Sequence, residues 1–331
     1  MQAAERKFQS AAFLPQSIIM DAVSVCEKAA IAAAQVRGQG NEKHADQVAV
    51  DAMRRALNEL PMRGLVVIGE GERDEAPMLY IGEAVGQGTG PAVDIALDPL
   101  EGTTICAKNM PGSLATAAFA TEGGFLYAPD VYMQKLAVGP DVPEGLLDIN
   151  APVADTLAKV AKAKGRAVSD LAVCVLDRPR HEQLIKDIRA TGARINLIGD
   201  GDVAGVIAVA NPDNGVDVYM GSGGAPEGVL AAAGLRCVGG QIQGKLLFRN
   251  DDEKARATKI GVTDFNRVYQ TTDLARGHVV FCAAGVTTGA LLSGVQFKGE
   301  TAHTSTLVMD SATRTVRIVE TQHPSYVRLS K

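Results

Sequence analysis

The first part of the chain shows two stretches of helical spacing, followed by short apolar runs. Between residues 15 and 38, apolar side chains recur at positions 18, 19, 22, 23, 26 and 30, which line one face of a helix, and Arg37 and Gly38 close the pattern. Residues 45–60 repeat this spacing until Pro61 stops it. The runs "LVVIGEG" and "AVDIALD" predict two buried strands, and "SLATAAFATEGGFLYAPDVYMQKLAVG" predicts a pair of strands within the same sheet.

From about Asn150 the pattern changes to strands that alternate with helices. Residues 152–165 and 180–192 have helical spacing, and apolar runs such as "LAVCVL" and "GVDVYM" lie between and beyond them. This alternation is typical of an α/β arrangement, whereas the first half has the order of an α+β fold. Because no low-complexity linker separates the halves, we expect a fold of the α/β (α+β) class with two tightly packed subdomains, an N-terminal one at 1–149 and a C-terminal one at 150–331.

Acidic residues stand at the ends of several of these strands. "DPLEGTT" follows the run "AVDIAL", and its proline and glycine predict a turn that brings Asp98 and Glu101 together. Two adjacent carboxylates repel each other unless a cation lies between them, so the motif is either an acidic surface loop or a cation site. Four such clusters with few basic residues among them favour Mg²⁺ or Mn²⁺, which prefer oxygen ligands. The other acidic positions are Glu70, Glu72, Asp200, Asp202 and Glu227.

Two further segments offer groups that could bind an anion. "DRPRH" follows the strand "LAVCVL", so Arg178 and Arg180 stand at a strand end and Pro179 stiffens the turn between them. Two guanidinium groups at this position can hold a phosphate through paired hydrogen bonds. The alternative interpretation is that the segment is only the ordinary start of a helix. The glycine-rich "GSGGAPEG" either offers backbone N–H groups and a helix N-terminus to oxyanions or serves only as a tight turn.

Composition and charge argue against several classes of function. The 331 residues are 46% hydrophobic with a formal net charge of −5, and without a basic run they predict no nucleic-acid partner. No apolar window reaches membrane-spanning length and no signal-peptide pattern is present, so we expect no membrane partner. The five scattered cysteines indicate buried thiols and a cytoplasmic location. The five histidines lack the spacing of zinc ligands.

Several motifs resemble one known family. "DPLEGT" is similar to the Asp-Pro-(Ile/Leu)-Asp-Gly-Thr signature of the lithium-sensitive phosphomonoesterase superfamily, which includes inositol monophosphatases and sugar bisphosphatases. Glu101 stands where most of that superfamily has Asp, and this departure points to the class II, GlpX-type fructose-1,6-bisphosphatases. "VVIGEGERDEAPMLYIGEAVG", "YMQKLAVGP", "RPRH", "DGDVA" and "GGAPEG" resemble that branch in the same order. The resemblance runs from about Glu42 to about His323, and the first dozen residues have no counterpart in it.

The resemblance implies the fold of the sugar and inositol phosphatases, a layered αβαβα sandwich, and a phosphatase activity of the same type. The implied enzyme is a phosphoric monoester hydrolase that removes the 1-phosphate of fructose 1,6-bisphosphate, in gluconeogenesis or the Calvin cycle. It implies Mg²⁺ or Mn²⁺ as cofactor and a homodimer or homotetramer. Additional activity on sedoheptulose 1,7-bisphosphate stays open, because one extra hydroxymethine is hard to exclude from a site. An inositol or nucleotide phosphatase, or a non-catalytic sugar-phosphate-binding protein, fits these motifs less well.

The resemblance also assigns roles to individual residues. The implied metal ligands are Asp46, Glu70, Asp98, Glu101 and Glu227. The implied substrate contacts are Glu101, Gly102, Thr103, Tyr132, Arg178, Pro179, Arg180, Asp200, Gly201, Asp202, Gly224 and Glu227. Catalysis falls to Asp98, Glu101 and Thr103, whose hydroxyl orients the attacking water, while the two arginines anchor the phosphate that is not cleaved. For Asp46, a role as a dipole partner or cap of its helix is the alternative.

Overall fold

The computed structural model describes residues 13–71 and 78–329. Short polar side chains begin two of the helices: Asn41 accepts a hydrogen bond from the His44 N–H (3.1 Å), and Asn250 accepts one from the Glu253 N–H (2.9 Å). The α-helices of these residues are α1 (Ser17–Ala34), α2 (Glu42–Asn58), α3 (Thr103–Ala107), α4 (Val153–Ala163), α5 (Glu182–Ala190), α6 (Asp202–Ile207), α7 (Ala225–Val238), α8 (Asp251–Lys259) and α9 (Thr271–Leu274).

Many of the strands coincide with apolar runs of the sequence, and several of these, such as β4, β6 and β11, are buried on both faces. Such runs are typical of sheets that are covered on two sides. The strands are β1 (Arg63–Ile68), β2 (Ala84–Val85), β3 (Ala92–Glu101), β4 (Leu114–Thr121), β5 (Tyr132–Val138), β6 (Ala172–Leu176), β7 (Arg194–Ile198), β8 (Val218–Gly224), β9 (Gln241–Leu247), β10 (Val268–Gln270), β11 (Val279–Gly285), β12 (Gln296–Lys298), β13 (Thr301–Asp310) and β14 (Thr315–His323).

The strands of the described residues form two mixed sheets. The first sheet has the order β12-β13-β11-β4-β3-β1-β2, and β14 also pairs with β13. The second sheet has the order β10-β9-β5-β8-β6-β7. In the part of the chain that the structure describes, β1 runs parallel to β3, and β6 runs parallel to β7 and β8. The other neighbouring strands run antiparallel.

Five layers follow from the alternation of side chains across each strand. α1 and α2 pack on one face of the first sheet, where their apolar residues meet Phe119 and Cys282. Between the sheets, α6 and α7 pack against Phe281 of the first sheet and Met133 of the second. α4 and α5 cover the outer face of the second sheet around Val173. The predicted α/β (α+β) class and the αβαβα sandwich are therefore confirmed.

Two expectations about the strands are wrong. β4 and β5 do not lie in the same sheet: β4 belongs to the first sheet and β5 to the second. The second error concerns β3, which does not end at Asp98 but continues to Glu101. Apolar alternation shows that a segment is a strand, but it carries no information about which sheet the strand joins.

Each sheet takes strands from both halves of the chain. β5 precedes residue 149 but lies in the second sheet, and β11 to β14 follow residue 150 but lie in the first sheet. The division into subdomains 1–149 and 150–331 stays a prediction, because sheet membership alone does not define the units that fold or move together.

The cysteines and the helices can be compared with the predictions of buried thiols and of no membrane partner. All five cysteines are free and buried, as predicted. None of the helices in the described ranges is both long and apolar enough to cross a membrane. The cytoplasmic location stays a prediction.

Candidate active site

A cavity of ≈ 350 Å³ lies beside the ends of β1 and β3 and the first turn of α7. Its wall carries seven carboxyl groups, and none of the described residues that line it is basic. Such a wall repels an anionic substrate unless cations offset its charge. The polar side chains of the wall belong to Asp46, Glu70, Asp98, Glu101, Thr103, Asp130, Asp200 and Glu227.

A β-bulge places the two acids of "DPLEGTT" on the same side of β3. Asp98 pairs with Thr116 of β4 and Glu101 pairs with Leu114, so three steps along β3 oppose two steps along β4. In a regular strand, positions 98 and 101 face opposite sides of the sheet, and the extra residue removes that difference. Pro99 has no N–H, so it loses no ladder hydrogen bond at the bulge. The predicted turn is therefore a bulge, with the same consequence for the two carboxylates.

The end of this motif is held by a hydrogen bond and a left-handed glycine. Oε1 of Glu101 accepts a hydrogen bond from the Val203 N–H in the first turn of α6 (2.8 Å). Gly102 has φ +80°, in the region that favours glycine, and Thr103 is the first residue of α3. The chain thus changes from strand to helix at the cavity wall, which fixes the Glu101 and Thr103 side chains relative to each other.

Asp46 and Glu70 reach the cavity from α2 and from the loop after β1. Asp46 is the fifth residue of α2, and the side chain that caps this helix belongs to Asn41. Asp46 is therefore not the helix cap. Glu70 is held by a hydrogen bond from its N–H to the Leu79 carbonyl (3.1 Å). Glu72, the other acid predicted at this strand end, lies in 72–77, outside the described residues.

Glu227 has a buried oxygen without a partner. It is the third residue of α7, and its Oε2 is buried and makes no hydrogen bond with the described residues. Gly224 makes room for this carboxylate, because a Cβ at that position would overlap Oε2. A buried polar atom without a partner is costly, and a cation in the cavity would satisfy it. The donor set therefore fits a divalent cation.

Burial raises the pKa of each predicted metal ligand, and like charges add to the rise for Glu70, Asp98, Glu101 and Glu227. Burial raises the pKa of Glu70 to about 8, and the charges of Asp46 and Glu227 add to this rise. Burial also raises the pKa of Asp98 to about 8, against a hydrogen bond from Glu101 that lowers it. The pKa of Glu101 lies well above its usual range, and those of Asp46 and Glu227 are raised, in each case chiefly by burial. Perturbed groups of this kind cluster at functional sites.

The carboxylates share the cavity but do not converge on one point. Between residues 13 and 71 and between 78 and 329, no group of three or more His, Cys, Asp or Glu side chains stands in an arrangement that could hold a metal ion as it is. The raised pKa values nevertheless place these groups in one electrostatic field. Rotations about their side-chain bonds, which are small changes compared with burying so many acids, would bring these carboxylates together around a cation.

Lys135 was not predicted from the sequence as a functional residue, yet it compensates charge at this site. It lies on the same face of β5 as Met133 and forms a buried ion pair with Asp202. The charge of Asp202 contributes to the raised pKa values of Glu101 and Glu227, and Lys135 lowers that of Glu227. The available signal was one lysine inside the apolar run "YMQKLAV".

The two arginines of "DRPRH" have different partners. Arg178 forms an ion pair with Asp200 (3.2 Å), whose side chain lines the cavity. Arg180 donates a hydrogen bond to the Ser222 carbonyl (2.7 Å), and its guanidinium lies 5.0 Å from the centre of the Tyr132 ring. Binding of one phosphate by both guanidinium groups stays a prediction.

The predicted site residues thus fall into three groups. The cavity wall brings together Asp46, Glu70, Asp98, Glu101, Gly102, Thr103, Asp200 and Glu227. Gly201 and Arg178 line, with Asp200, a neighbouring cavity of ≈ 540 Å³. Neither of these walls includes Tyr132, Pro179, Arg180, Asp202 or Gly224. Asp130 lines the first cavity and was not predicted.

Residues 16–323 match the profile of the family described as bacterial fructose-1,6-bisphosphatase, glpX-encoded. The chain belongs to this family.

Curated relatives agree with this membership. Proteins named D-fructose 1,6-bisphosphatase class 2/sedoheptulose 1,7-bisphosphatase from Parasynechococcus marenigrum (strain WH8102) and from Synechococcus sp. (strain RCC307) are each 44% identical over 324 residues. In both cases the match covers 94% of this chain and 97% of the relative. Among solved structures, the extragenic suppressor protein suhB from Bartonella henselae is 13% identical, with TM-score 0.35, over 59% of this chain and 73% of that chain.

Membership in the glpX-encoded fructose-1,6-bisphosphatase family confirms the resemblance stated from the motifs. It also confirms the predicted enzyme class, a phosphoric monoester hydrolase of the fructose-bisphosphatase type. Phosphatases of this superfamily are in general metal-dependent. The roles of individual residues stay predictions.

Proposed function

We propose that the chain hydrolyses the 1-phosphate of fructose 1,6-bisphosphate with the help of Mg²⁺ or Mn²⁺ bound by Asp46, Glu70, Asp98, Glu101 and Glu227. The observation that carries this proposal is the cavity whose wall joins these five carboxylates to Thr103 without any basic residue among the described lining. An anionic substrate binds there only if cations offset the carboxylates. When bound, such cations attract the scissile phosphate and stabilise its developing charge.

The residues of the chain position the reactants. The Thr103 hydroxyl, at the start of α3, orients the attacking water. Glu101 is hydrogen-bonded at one oxygen to the Val203 N–H, and a neighbouring carboxylate of the wall accepts the proton of that water. A covalent phosphothreonine is disfavoured, because no described histidine or lysine lines the cavity to activate the hydroxyl.

Binding of the rest of the substrate falls to residues beside the cavity. Arg178 and Arg180 hold the phosphate that is not cleaved, and Asp200 and Asp202 accept hydrogen bonds from sugar hydroxyls. Tyr132 supplies an apolar face and a hydroxyl group. Binding of the remote phosphate helps to orient the reacting end of the substrate, as is general for enzymes that use distant parts of a substrate.

We propose sedoheptulose 1,7-bisphosphate as a second substrate. The support is the printed name of the two relatives, which includes both activities. The two sugars differ by one hydroxymethine, and a site rarely discriminates strongly on so small a difference. The predicted homodimer or homotetramer also stays a proposal.

Phosphate release from the purified, chelator-treated protein tests the function. Fructose 1,6-bisphosphate, sedoheptulose 1,7-bisphosphate and inositol 1-phosphate are each supplied with Mg²⁺, with Mn²⁺ or with neither ion. Metal-restored release from the first substrate is expected, and release from the second decides whether the enzyme is bifunctional. Release from the inositol ester alone refutes the substrate proposal while retaining metal-dependent phosphatase chemistry.

A further inference from the structure

Two arginines from distant parts of the chain lie over one tyrosine ring. The guanidinium carbon of Arg180 is 5.0 Å from the centre of the Tyr132 ring, and that of Arg249 is 5.4 Å from it. Both distances are in the range of cation–π contacts. An arginine held by a ring face keeps N–H groups at its edge, and these can bind a phosphate in a bidentate manner.

Arg249 is exposed but held in place. It follows β9 and precedes α8, and its guanidinium forms an ion pair with Glu253 (2.5 Å). The Glu253 carboxylate also accepts a hydrogen bond from the Arg249 N–H (2.7 Å), and the Glu253 N–H donates to Asn250 (2.9 Å). The helix start therefore fixes the position of Arg249 before any ligand binds, which reduces the entropy lost on binding.

Arg180 is held in place by Ser222 of β8. Its guanidinium donates to the Ser222 carbonyl (2.7 and 3.1 Å) and to the Ser222 hydroxyl (3.2 Å). The adjacent His181 accepts a hydrogen bond from the Ser222 N–H (2.8 Å), and its other ring nitrogen contacts the Leu176 carbonyl (2.8 Å). Both arginines are thus held by contacts other than those with Tyr132.

The arginine pair stands next to the cavity. Tyr132 pairs across the sheet with Gly224, and Gly224 abuts the carboxylate of Glu227 in the cavity wall. The hydrogen bond with Glu253 is the main cause of the raised pKa of Arg249, and the charge of Asp130, another residue of the wall, also contributes. When the reacting phosphate of a ligand lies in the acidic cavity, the distant end of that ligand therefore lies near the guanidinium groups of Arg180 and Arg249.

We propose that Arg249 determines specificity by binding, together with Arg180 and over Tyr132, the phosphate that is not cleaved. This inference rests on the proposed function, to which it adds a residue that lies in none of the family motifs quoted above. The bisphosphate makes this contact, and a monophosphate without the distant group does not.

The test compares Arg249→Gln with a matched control, Arg267→Gln. Arg267 also lies over a tyrosine, 4.8 Å from the Tyr269 ring, and pairs with an acid, Asp273 (2.8 Å). Its ring contact is thus with Tyr269, whereas those of Arg180 and Arg249 are with Tyr132. The measurements are kcat/KM for fructose 1,6-bisphosphate and for fructose 1-phosphate, and the Kd for fructose 6-phosphate by titration calorimetry. Arg249→Lys, which keeps the charge without the fork, completes the set.

For Arg249→Gln, we expect kcat/KM for the bisphosphate to fall by about 10- to 100-fold and the affinity for fructose 6-phosphate to fall similarly, as for loss of one charge-assisted contact. The kcat/KM for fructose 1-phosphate stays unchanged, Arg249→Lys recovers part of the loss, and Arg267→Gln changes none of these values. An equal fall for both substrates, or an unchanged affinity for fructose 6-phosphate, overturns the proposal. If the wild-type protein releases no phosphate from the bisphosphate, the proposed function fails, while the fructose 6-phosphate titration still decides the role of Arg249.

Discussion

Lys135 and Asp202 form an ion pair that is almost completely buried between the two sheets. The Lys135 side chain has no exposed area and that of Asp202 is 6% exposed. Gly223 leaves room for the pair, because a Cβ there would overlap Oδ2 of Asp202 and lie 3.3 Å from the Lys135 Nζ. Lys135 thereby neutralises a buried carboxylate near a cavity whose described charged residues are all acidic.

Removal of the lysine charge is expected to destabilise the protein strongly. Lys135→Met leaves Asp202 buried without its partner, and breaking a buried pair in this way costs about 3–5 kcal/mol. The free energy of unfolding in urea measures the effect. Lys28→Met is the matched control, because the pair of Lys28 with Glu59 is exposed and contributes at most about 1 kcal/mol. Equal losses in the two variants would refute a structural role for the buried charge.

Asp98→Asn is expected to abolish turnover without unfolding the protein. Asn keeps the shape and can still accept the hydrogen bond from the Leu100 N–H (3.0 Å), but it loses the charge at the cavity wall. We expect kcat/KM for fructose 1,6-bisphosphate to fall by at least about 10³-fold, a loss typical of a charge that acts at the reacting centre. Steady-state kinetics and the thermal midpoint are measured on the same preparation.

Asp94→Asn is the control for this prediction. Asp94 lies four residues earlier on β3, and its carboxylate accepts hydrogen bonds from the Gly123 and Gly124 N–H groups (2.8 and 3.1 Å), outside the cavity. This variant is expected to lose stability but to keep most of its kcat/KM. Substantial turnover by Asp98→Asn would remove Asp98 from the proposed metal site.

Local patterns sufficed for the order of the main elements as far as α7 and for the acidic cavity. Helical spacing and apolar runs are short-range signals, and carboxylates at strand ends are positioned by the strands themselves. The structure has a bulge at Pro99 where the sequence predicted a turn. The prediction that Asp98 and Glu101 lie on one side still holds, because a turn and a bulge both have this effect.

Contacts between distant segments could not be predicted in the same way. Lys135 and Asp202 are 67 residues apart, so their pairing depends on how the start of α6 is placed against β5. Arg249 belongs to a loop without a recognisable motif, and its contact with Tyr132 follows from the pairing of β5 with β9. The assignment of β5 to the second sheet was missed for the same reason.

The stability of the metal-free protein is expected to fall as pH rises. The pKa of Glu70 is raised from 4.5 to about 8 and that of Asp98 from 3.8 to about 8, in both cases chiefly by burial. Between these limits, the folded protein holds protons that the unfolded chain has released, so the free energy of unfolding decreases with pH. The stabilising effect is fully present below about pH 4 and is lost by about pH 8.

Differential scanning calorimetry in the presence of a chelator measures this dependence. We expect Tm to fall by at least about 5 °C between pH 5 and pH 8, and added Mg²⁺ or Mn²⁺ to restore it at pH 8, because a ligand of the folded state stabilises it. The variant Glu70→Gln removes one of the titrating groups and should flatten the curve. A metal-free Tm that rises over this range contradicts the assignment of raised pKa values to these carboxylates.

Gly224→Ala is expected to impair the site through a single methyl group. The backbone at Gly224 has φ −65° and ψ 146°, which alanine adopts without strain, so the substitution does not act through the backbone. The added Cβ would overlap Oε2 of Glu227 and force that carboxylate to rotate. We expect an increase of at least about 10-fold in the metal concentration required for half-maximal activity, because disturbing the groups that orient a metal ligand typically weakens a metal site by about 10- to 100-fold.

Gly199→Ala is the control, because it adds a methyl group near the site without displacing Glu227. A Cβ at Gly199 meets no atom within 4 Å, so the variant should keep the metal dependence and the kcat of the wild-type protein. For Gly224→Ala, raising the concentration of Mn²⁺ should recover much of the activity, because the ligand is displaced rather than removed. If Gly224→Ala loses activity that no concentration of Mg²⁺ or Mn²⁺ restores, while its Tm is unchanged, Gly224 acts through the substrate and not through Glu227.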